Sequence, residues 1–337
     1  MDVKEKLKLI KKNTQEIITE EELTKLLKSK KKPHAYVGAA PTGKIHIGYF
    51  LPVLKIRDLM DAGFDFTFLA ADLHAHLDDL KSPWELLDAR SDYYIEVIKA
   101  MLDAVGGHSS KLKTIKGSEF QLEKEYTQDV LRMAATTTLS RAKRAAAEIV
   151  RFGDEPKLGG FVYPLMQAED VHALKADVTL GGLDQRGTYM FARDVLPEIG
   201  HKKPISIFTP LMPGLTGGKM SASVPASKID VLDSEKEVAK KMNKAFCPEK
   251  KVEGNGVLAY TKHIIFEIVD KIEINRPEKF GGNVVYNSYK ELEKDFVSGK
   301  LHPLDLKKAL GIEVNKLLDV VRKYFKNKSE IVEKAYP

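Results

Sequence analysis

Ala35-Tyr36-Val37-Gly38-Ala39-Ala40-Pro41-Thr42-Gly43-Lys44-Ile45-His46-Ile47-Gly48-Tyr49 is the stretch on which the reading of this chain turns. A short apolar run enters a glycine-containing loop and leaves it in an amphipathic stretch near 48–62, the pattern of strand, turn and crossover helix. The same alternation recurs downstream. FDFTFLAAD precedes a helix near 84–104, and KLKTIKG at 111–117 precedes helical segments at about 122–152 and 163–173. ADVTLGG at 176–182, another helix and PISIFTP at 204–210 follow. Five strands separated by helices predict an α/β fold, a Rossmann-like doubly wound parallel sheet. Ligands of such sheets bind beyond the carboxyl ends of the strands, so the residues just after each strand are the ones that carry function.

Upstream, Ile18-Thr19-x-x-Glu22 followed by Leu23 predicts a capping box and a helix at 20–29, with LKSKKK at 27–32 as a solvated linker. Downstream of about 228 the strands stop. SEKEVAKKMNKAF and HPLDLKKALGIEVNKLLDVVRKYF have helical spacing. The expected organisation is a Rossmann-like domain over 1–232, with an N-terminal helix and a helical insertion at about 120–160, and an all-helical domain over 233–337.

Composition sets the outer limits. At 337 residues, and about 150 per domain, the chain makes about two domains. Hydrophobic residues at 43% and charged residues at 30%, without repeats, exclude collagen-like, coiled-coil and disordered classes. One cysteine, Cys247, allows no internal disulfide and no cysteine-based metal cluster, which fits a reducing compartment. No apolar stretch reaches the 18 or so residues of a membrane span, and MDVKEKLKLIKK lacks the apolar core of a signal peptide, so a cytoplasmic protein is expected. The net charge of +6 permits a nucleic-acid partner without demanding one.

Two loops carry the chemistry. Gly38-x4-Gly43-Lys44 comes within one residue of a Walker A motif, but Ile45 stands where a magnesium-binding Ser or Thr belongs. His46 follows, just before a helix whose first backbone N–H groups could hold an anion, and Gly48 leaves room for a flat ring on the backbone. After the last strand comes Gly217-Gly218-Lys219-Met220-Ser221-Ala222-Ser223, a glycine-rich loop whose lysine can close over a triphosphate. Asp184, after the Gly181-Gly182 turn, is placed to accept from a ribose hydroxyl. His74-Ala-His76 has metal-ligand spacing but no third ligand, and no protein-bound metal is expected.

His46-Ile47-Gly48 and Lys219-Met220-Ser221 resemble the HIGH and KMSKS signatures of class I aminoacyl-tRNA synthetases. With Tyr163-Pro-Leu-Met-Gln167-Ala-Glu-Asp170, Asp177, Gly181-Gly182-Leu-Asp184-Gln185-Arg186 and Pro213-Gly214 before the second loop, nearly the whole chain resembles the archaeal and eukaryotic tyrosyl-tRNA synthetases. The tryptophanyl-tRNA synthetases share the nucleotide loops and are expected to differ around Asp170 and Gln185-Arg186. Tyr49 departs from the last histidine of HIGH, and Ala222 from the second lysine of KMSKS.

The resemblance implies a tyrosine–tRNA ligase that uses ATP, with magnesium carried by the nucleotide. It implies a tyrosine pocket in which Tyr36 and Asp170 read the phenol hydroxyl, the one group that separates tyrosine from phenylalanine, by a hydrogen-bond pair that phenylalanine would leave buried and unsatisfied. Tyr163, Gln167 and Gln185 would hold the α-ammonium, Leu69, Phe120 and Leu174 would wall the ring, and His74 would lie at the pocket's edge. Gly38, Thr42, His46, Gly48, Gly182, Asp184, Lys219, Met220 and Ser221 would hold ATP, with Thr42, His46 and Lys219 acting on its phosphates.

For tRNA, Arg144 and Arg186 would read the acceptor stem, and Phe280, His302 and Asp305 the anticodon, by stacking and edge hydrogen bonds. A homodimer is expected. Competing readings are a P-loop NTPase, motivated by Gly38 to Lys44, and a non-catalytic tRNA-binding paralogue, motivated by Tyr49 and Ala222.

Overall fold

The computed structural model describes residues 1–78, 80–218, 220 and 224–337. Its main sheet has six strands: β1 (Glu16–Ile18), β2 (His34–Ala39), β3 (Asp65–Ala70), β4 (Lys113–Lys116), β5 (Val178–Gly182) and β6 (Ile205–Thr209). They lie in the order β1-β6-β5-β2-β3-β4. The last five are the predicted strands and are parallel, so their order reverses between β2 and β5, as in a doubly wound sheet. The antiparallel edge strand β1 has three residues, too few to show a period in the sequence.

Helices α1 (Val3–Lys11) and α2 (Glu20–Ser29) come first. Thr19 caps α2 by accepting from the Glu22 N–H, but the Glu22 carboxylate turns to Arg193 and Lys203, both at 2.9 Å, and these partners occupy the group expected to close a capping box. The crossovers are α3 (Phe50–Asp61), then α4 (Asp72–Leu77) with α5 (Leu87–Ala104), then α6 (Lys124–Thr136), α7 (Leu139–Ala146) and α8 (Leu158–Ala173), and finally α9 (Arg186–Glu198).

The long helix expected at 122–152 is broken after the β-branched run Thr136-Thr137-Thr138, where Thr138 caps α7. Helix α8 starts five residues earlier than its expected bound at 163. Its first turn packs against Val150 and Leu77, with Gly160 so close to Val150 that a Cβ there would lie at 2.9 Å.

Strand alternation sends side chains to both faces. Ala35, Val37, Phe66, Phe68, Leu180 and Ile207 join the core under α3 and α5, whereas Tyr36, Leu69 and Phe208 join the core under α8 and α9.

After 233 come α10 (Glu235–Lys244), α11 (Gly256–His263), α12 (Tyr289–Ser298), α13 (Pro303–Phe325) and α14 (Ser329–Ala335). This region is helical apart from the antiparallel hairpin of β7 (Ile272–Ile274) and β8 (Val284–Tyr286). It shares the α3–α5 core, with the Tyr93 ring of α5 against Phe325 and Tyr336. Among the described residues no helix is long and apolar enough to cross a membrane.

Lys55 of α3 is buried where α1 crosses it. Its ammonium donates to the carbonyls of Ile10, at 2.9 Å, and Lys12, and faces Asp58 at 3.5 Å. Asp58 keeps Arg57 when the lysine is removed, whereas the two carbonyls at the end of α1 lose a charged donor. Lys55→Met is expected to cost about 2–3 kcal/mol, read as a lower midpoint in urea unfolding followed by circular dichroism.

Candidate functional site

The site begins where two neighbouring strands part. Strand β2 pairs with β3 from His34 to Ala39, but with β5 only at Ala35↔Val178 and Tyr36↔Thr179. Beyond Tyr36 the strands diverge, and the gap opens into a cavity of about 710 Å³. Val37, Gly38 and Ala39 line one wall, and Gly181 and Gly182 the other. This is the switch point at which doubly wound sheets bind ligands.

The inner end is buried and polar. Asp170, 1% exposed, accepts from Gln121 Nε2 at 2.7 Å and from the Tyr126 hydroxyl at 2.8 Å, both on Oδ1. Burial raises its pKa to about 7, against the pull of these two donors. The Tyr36 hydroxyl donates to the Gln167 carbonyl at 3.5 Å, and its ring meets Tyr189 edge-on. His74 is also buried here, packed edge-on against Tyr163, and burial lowers its pKa to about 4, so the imidazole is neutral. Its Nε2 lies 3.8 Å from Asp170 Oδ2, too far for a hydrogen bond.

Helix α8 supplies this end with Tyr163, Gln167 and Asp170 at i, i+4 and i+7, a single helical face. Gln167 donates to Gln185 Oε1 at 2.9 Å, while its own Oε1 is buried and without a hydrogen-bond partner. A cavity wall thus carries an acceptor prepared for a donor.

The outer end holds Thr42, His46, Gly48 and Met220. His46 precedes the short 3-10 turn Ile47–Tyr49, and its Nδ1 accepts from the Gly48 N–H at 3.2 Å, which leaves the ring proton on Nε2. Burial, with the Lys228 charge, lowers its pKa to about 4. A Cβ on Gly48 would meet the His46 ring at 2.9 Å and Met220 at 3.2 Å, so glycine is required by close approach. Ile47 N–H donates to Ile229 O and Val231 N–H to Ile45 O, which ties the first loop to the segment that follows the second.

Free amides were expected at the start of this helix. Instead Ile47, Gly48 and Tyr49 donate to Ile229 O, His46 Nδ1 and His46 O. The P-loop reading fails for a related reason. Gly43 N–H is held by the Tyr94 hydroxyl at 3.4 Å and Ile45 N–H by the Tyr93 hydroxyl at 3.2 Å, and Lys44 lies over the Tyr336 ring. These groups face the protein, whereas a phosphate cradle needs its amides turned to the ligand.

The cavity brings together Tyr36, Gly38, Leu69, His74, Tyr163, Gln167, Asp170, Gly182, Asp184 and Gln185 with the outer-end residues. Phe120 and Leu174 are not among its lining residues. Phe120 packs edge-on against Tyr126, and Leu174 sits with the core under α8 and α9. Lys219, Ser221 and Ala222 lie outside the described residues. His76 turns to the Ser82 carbonyl and Trp84, away from His74, so the H-x-H pair does not converge.

Away from the cavity, Arg144 is exposed on α7, and Arg186 is paired with Glu16 at 2.7 Å. Phe280 is 60% exposed, before the Gly281-Gly282 turn. His302 caps α13 through Nδ1, and Asp305 lies in that helix's first turn. Arg276 joins the two regions by donating to Gly282 O and Lys300 O.

Gln121, Tyr126, Tyr189, Tyr93 and Tyr94 were missed by the sequence reading. Each acts by holding another site group, and none belongs to a motif.

The family model for class I tRNA synthetases of tryptophan and tyrosine matches residues 28–319. The chain is 49% identical to tyrosine–tRNA ligase of Haloarcula marismortui, over 100% of this chain and 98% of that protein. It is 46% identical to cytoplasmic tyrosine–tRNA ligase of Danio rerio, over 99% of this chain and 63% of that longer protein. Among solved structures, the tyrosyl-tRNA synthetase of Archaeoglobus fulgidus complexed with L-tyrosine aligns at a TM-score of 0.90 and 44% identity, over 96% of this chain and 99% of that one.

His46 gives a pH test. Its folded pKa of about 4 lies below the ordinary 6.5, so between these values the unfolded chain binds the extra proton and the residue's contribution to stability falls as pH falls. Nitrogen-resolved NMR of the imidazole is expected to show the neutral Nε2–H form throughout pH 5.5–8. Titration near 6.5 contradicts the buried, Gly48-bonded ring.

Proposed function

The chain belongs to the class I tRNA synthetases of tryptophan and tyrosine type, and we propose that it joins L-tyrosine to tRNA(Tyr) in the cavity between β2 and β5. The observation that carries this reading is one continuous cavity with a buried carboxylate among tyrosine hydroxyls at its inner end and the His46–Gly48–Met220 group at its outer end.

A tyrosine ring enters the inner end. Its hydroxyl meets Tyr36 and Asp170, whose side chains cannot both be satisfied by phenylalanine. Its α-ammonium donates to the free Gln167 Oε1, with Tyr163 and Gln185 beside it. The carboxylate then points outward to the α-phosphate of ATP, which arrives with its magnesium. Asp184 accepts from the ribose, and Gly38 and Gly182 let the nucleotide approach the backbone.

In the first step a carboxylate oxygen bonds to the α-phosphorus and the bond to the bridging oxygen of pyrophosphate breaks. No protein nucleophile takes part. Catalysis is positioning together with stabilisation of charge on the departing pyrophosphate. The neutral His46 contributes an N–H donor at Nε2, Thr42 a second donor, and Lys219, with Ser221 beside it in the second loop, the positive charge. In the second step a hydroxyl of the 3′-terminal adenosine of tRNA attacks the tyrosyl carbonyl, and AMP leaves.

Arg144 and Arg186 contact the acceptor stem, and the exposed Phe280, with His302 and Asp305, reads the anticodon. The exposed Leu131, Leu139 and Leu158 on the insertion helices support a homodimer.

Pyrophosphate–ATP exchange tests the first step. Exchange is expected with tyrosine and not with phenylalanine, tryptophan or no amino acid, and exchange with none of them returns the non-catalytic tRNA-binding reading. Asp170→Asn, which keeps an acceptor for Tyr126, is expected to lower the tyrosine-to-phenylalanine preference by about tenfold or more. An unchanged preference removes Asp170 from hydroxyl recognition.

The RNA-reading half is tested by Phe280→Ala. Loss of one stacked base costs about 1–3 kcal/mol, so tRNA charging is expected to fall by at least about fivefold while exchange stays within about twofold of wild type. Asp305→Ala is expected to behave alike, and equal losses in both assays place these residues in the structural framework.

A further inference from the structure

Outside the cavity, four side chains converge where α6, α8 and the turn after α9 meet. Asp129 comes from α6, Glu169 and His172 from one face of α8 at i and i+3, and His201 from the turn. One potential ligand atom of each lies within 4.8 Å of every other. The two imidazoles are stacked, with centroids 3.4 Å apart and planes at 10°, and His201 Nε2 lies 2.6 Å from Asp129 Oδ2.

Glu169 adds an independent sign. It is 2% exposed, and its Oε2 is buried with no hydrogen-bond partner. Leaving a buried carboxylate oxygen unpaired is costly. Arg132, a nearby cation, donates to Asp129 Oδ1 at 2.7 Å and to the Ile199 carbonyl at 2.9 Å.

We infer that Asp129, Glu169, His172 and His201 form a binding site for one divalent transition-metal ion of the zinc type. Two imidazole nitrogens and two carboxylate oxygens are ligands that zinc accepts, and the two carboxylates balance the charge of a dication. A tetrahedral ion with bonds of about 2.0–2.1 Å holds its ligand atoms roughly 3.3 Å apart. Binding draws the four atoms in from their present spread of up to 4.8 Å, and the two imidazoles leave their stacked arrangement so that their nitrogen lone pairs converge on one ion. Arg132 then serves as the outer partner that orients Asp129.

Four protein ligands close the coordination sphere, which makes the ion structural and leaves no position for a reacting water. His172 is exposed, so the ion has a path from solvent. The ion joins the insertion helix α6 and the turn after α9 to α8, whose other face carries Tyr163, Gln167 and Asp170. The sequence reading assigned no metal. The four residues are spread over 129–201, and only Glu169-x-x-His172 is local.

The test is a titration of metal-stripped full-length protein with Co²⁺ alone. The expected result is one equivalent bound per chain, with the visible d–d absorption of a four-coordinate complex, which Zn²⁺ displaces, and a higher Tm with Zn²⁺ than with chelator. Glu169→Gln and His201→Ala are each expected to lower Co²⁺ affinity by at least about tenfold, while tyrosine-dependent pyrophosphate exchange within about twofold of wild type reports that the variants are folded. Absence of binding, the weak absorption of six-coordinate Co²⁺, or equal affinity in wild type and both variants overturns the inference. A third variant, His172→Gln, sits at the surface, and undiminished affinity there also overturns the four-ligand site.

Discussion

The parting of β2 from β5 is the constraint from which the rest of the site follows. After Tyr36 and Thr179 the two strands stop pairing, while each keeps its other neighbour to the end. The sheet is therefore held rigid on both sides of a gap that it cannot close. Backbone at Val37–Ala39 and at Gly181–Gly182 faces that gap, and small residues there let a ligand lie against the strands. Reversal of strand order supplies the gap, because crossovers leave in opposite directions from β2 and β5 and no helix can cover both strand ends.

Helix α8 gives this gap its polar inner end. It reaches the sheet on the Tyr36 face and delivers three polar residues along one stripe, with Asp170 deepest. A carboxylate at 1% exposure is expensive unless it is hydrogen-bonded, and Gln121 and Tyr126 provide the two donors. Both come from the insertion, so the segment that interrupts the α/β pattern is what supports the pocket floor. The same helix places Glu169 toward α6 on its opposite side. Pocket and insertion therefore share one helix.

The fold was legible because strands and crossovers alternate in the sequence, and parallel sheets show this pattern strongly. Gly38, Gly182 and Asp184 could be picked out for a second reason, since they sit at strand ends, whereas Tyr163, Gln167 and Asp170 lie along α8. Phe120 and Leu174 pack against the core that holds Tyr36 and Leu69 without lining the cavity, because apolar residues near a motif can wall a pocket or fill a core, and only packing decides. Residues that hold other residues were illegible altogether. Gln121, Tyr93 and Tyr94 have no spacing relation to the groups they bond, and their partners are 49, 48 and 51 positions away. The hairpin of β7 and β8 escaped as well, being two three-residue strands.

The near-Walker sequence shows why a motif needs its hydrogen-bond partners before it has a meaning. Gly38-x4-Gly43-Lys44 could form a nest of amides around a phosphate, and nothing local forbids it. In this fold α5 presents Tyr94 and Tyr93 to Gly43 and Ile45, and Tyr94 also donates back to the Gly43 carbonyl at 2.7 Å. With its amides taken, the loop has a fixed shape and no anion nest at these two positions. What it offers to the cavity instead is the imidazole of His46, kept neutral by burial and with Nδ1 already used by Gly48. A site built this way offers the cavity a directed N–H rather than a positive charge. The backbone bonds between 45–47 and 229–231 tie this loop to the segment that follows the glycine-rich stretch. His46 and the segment at 229–231, far apart in the sequence, therefore meet through backbone bonds that neither the glycine-lysine pattern nor the histidine alone would have specified.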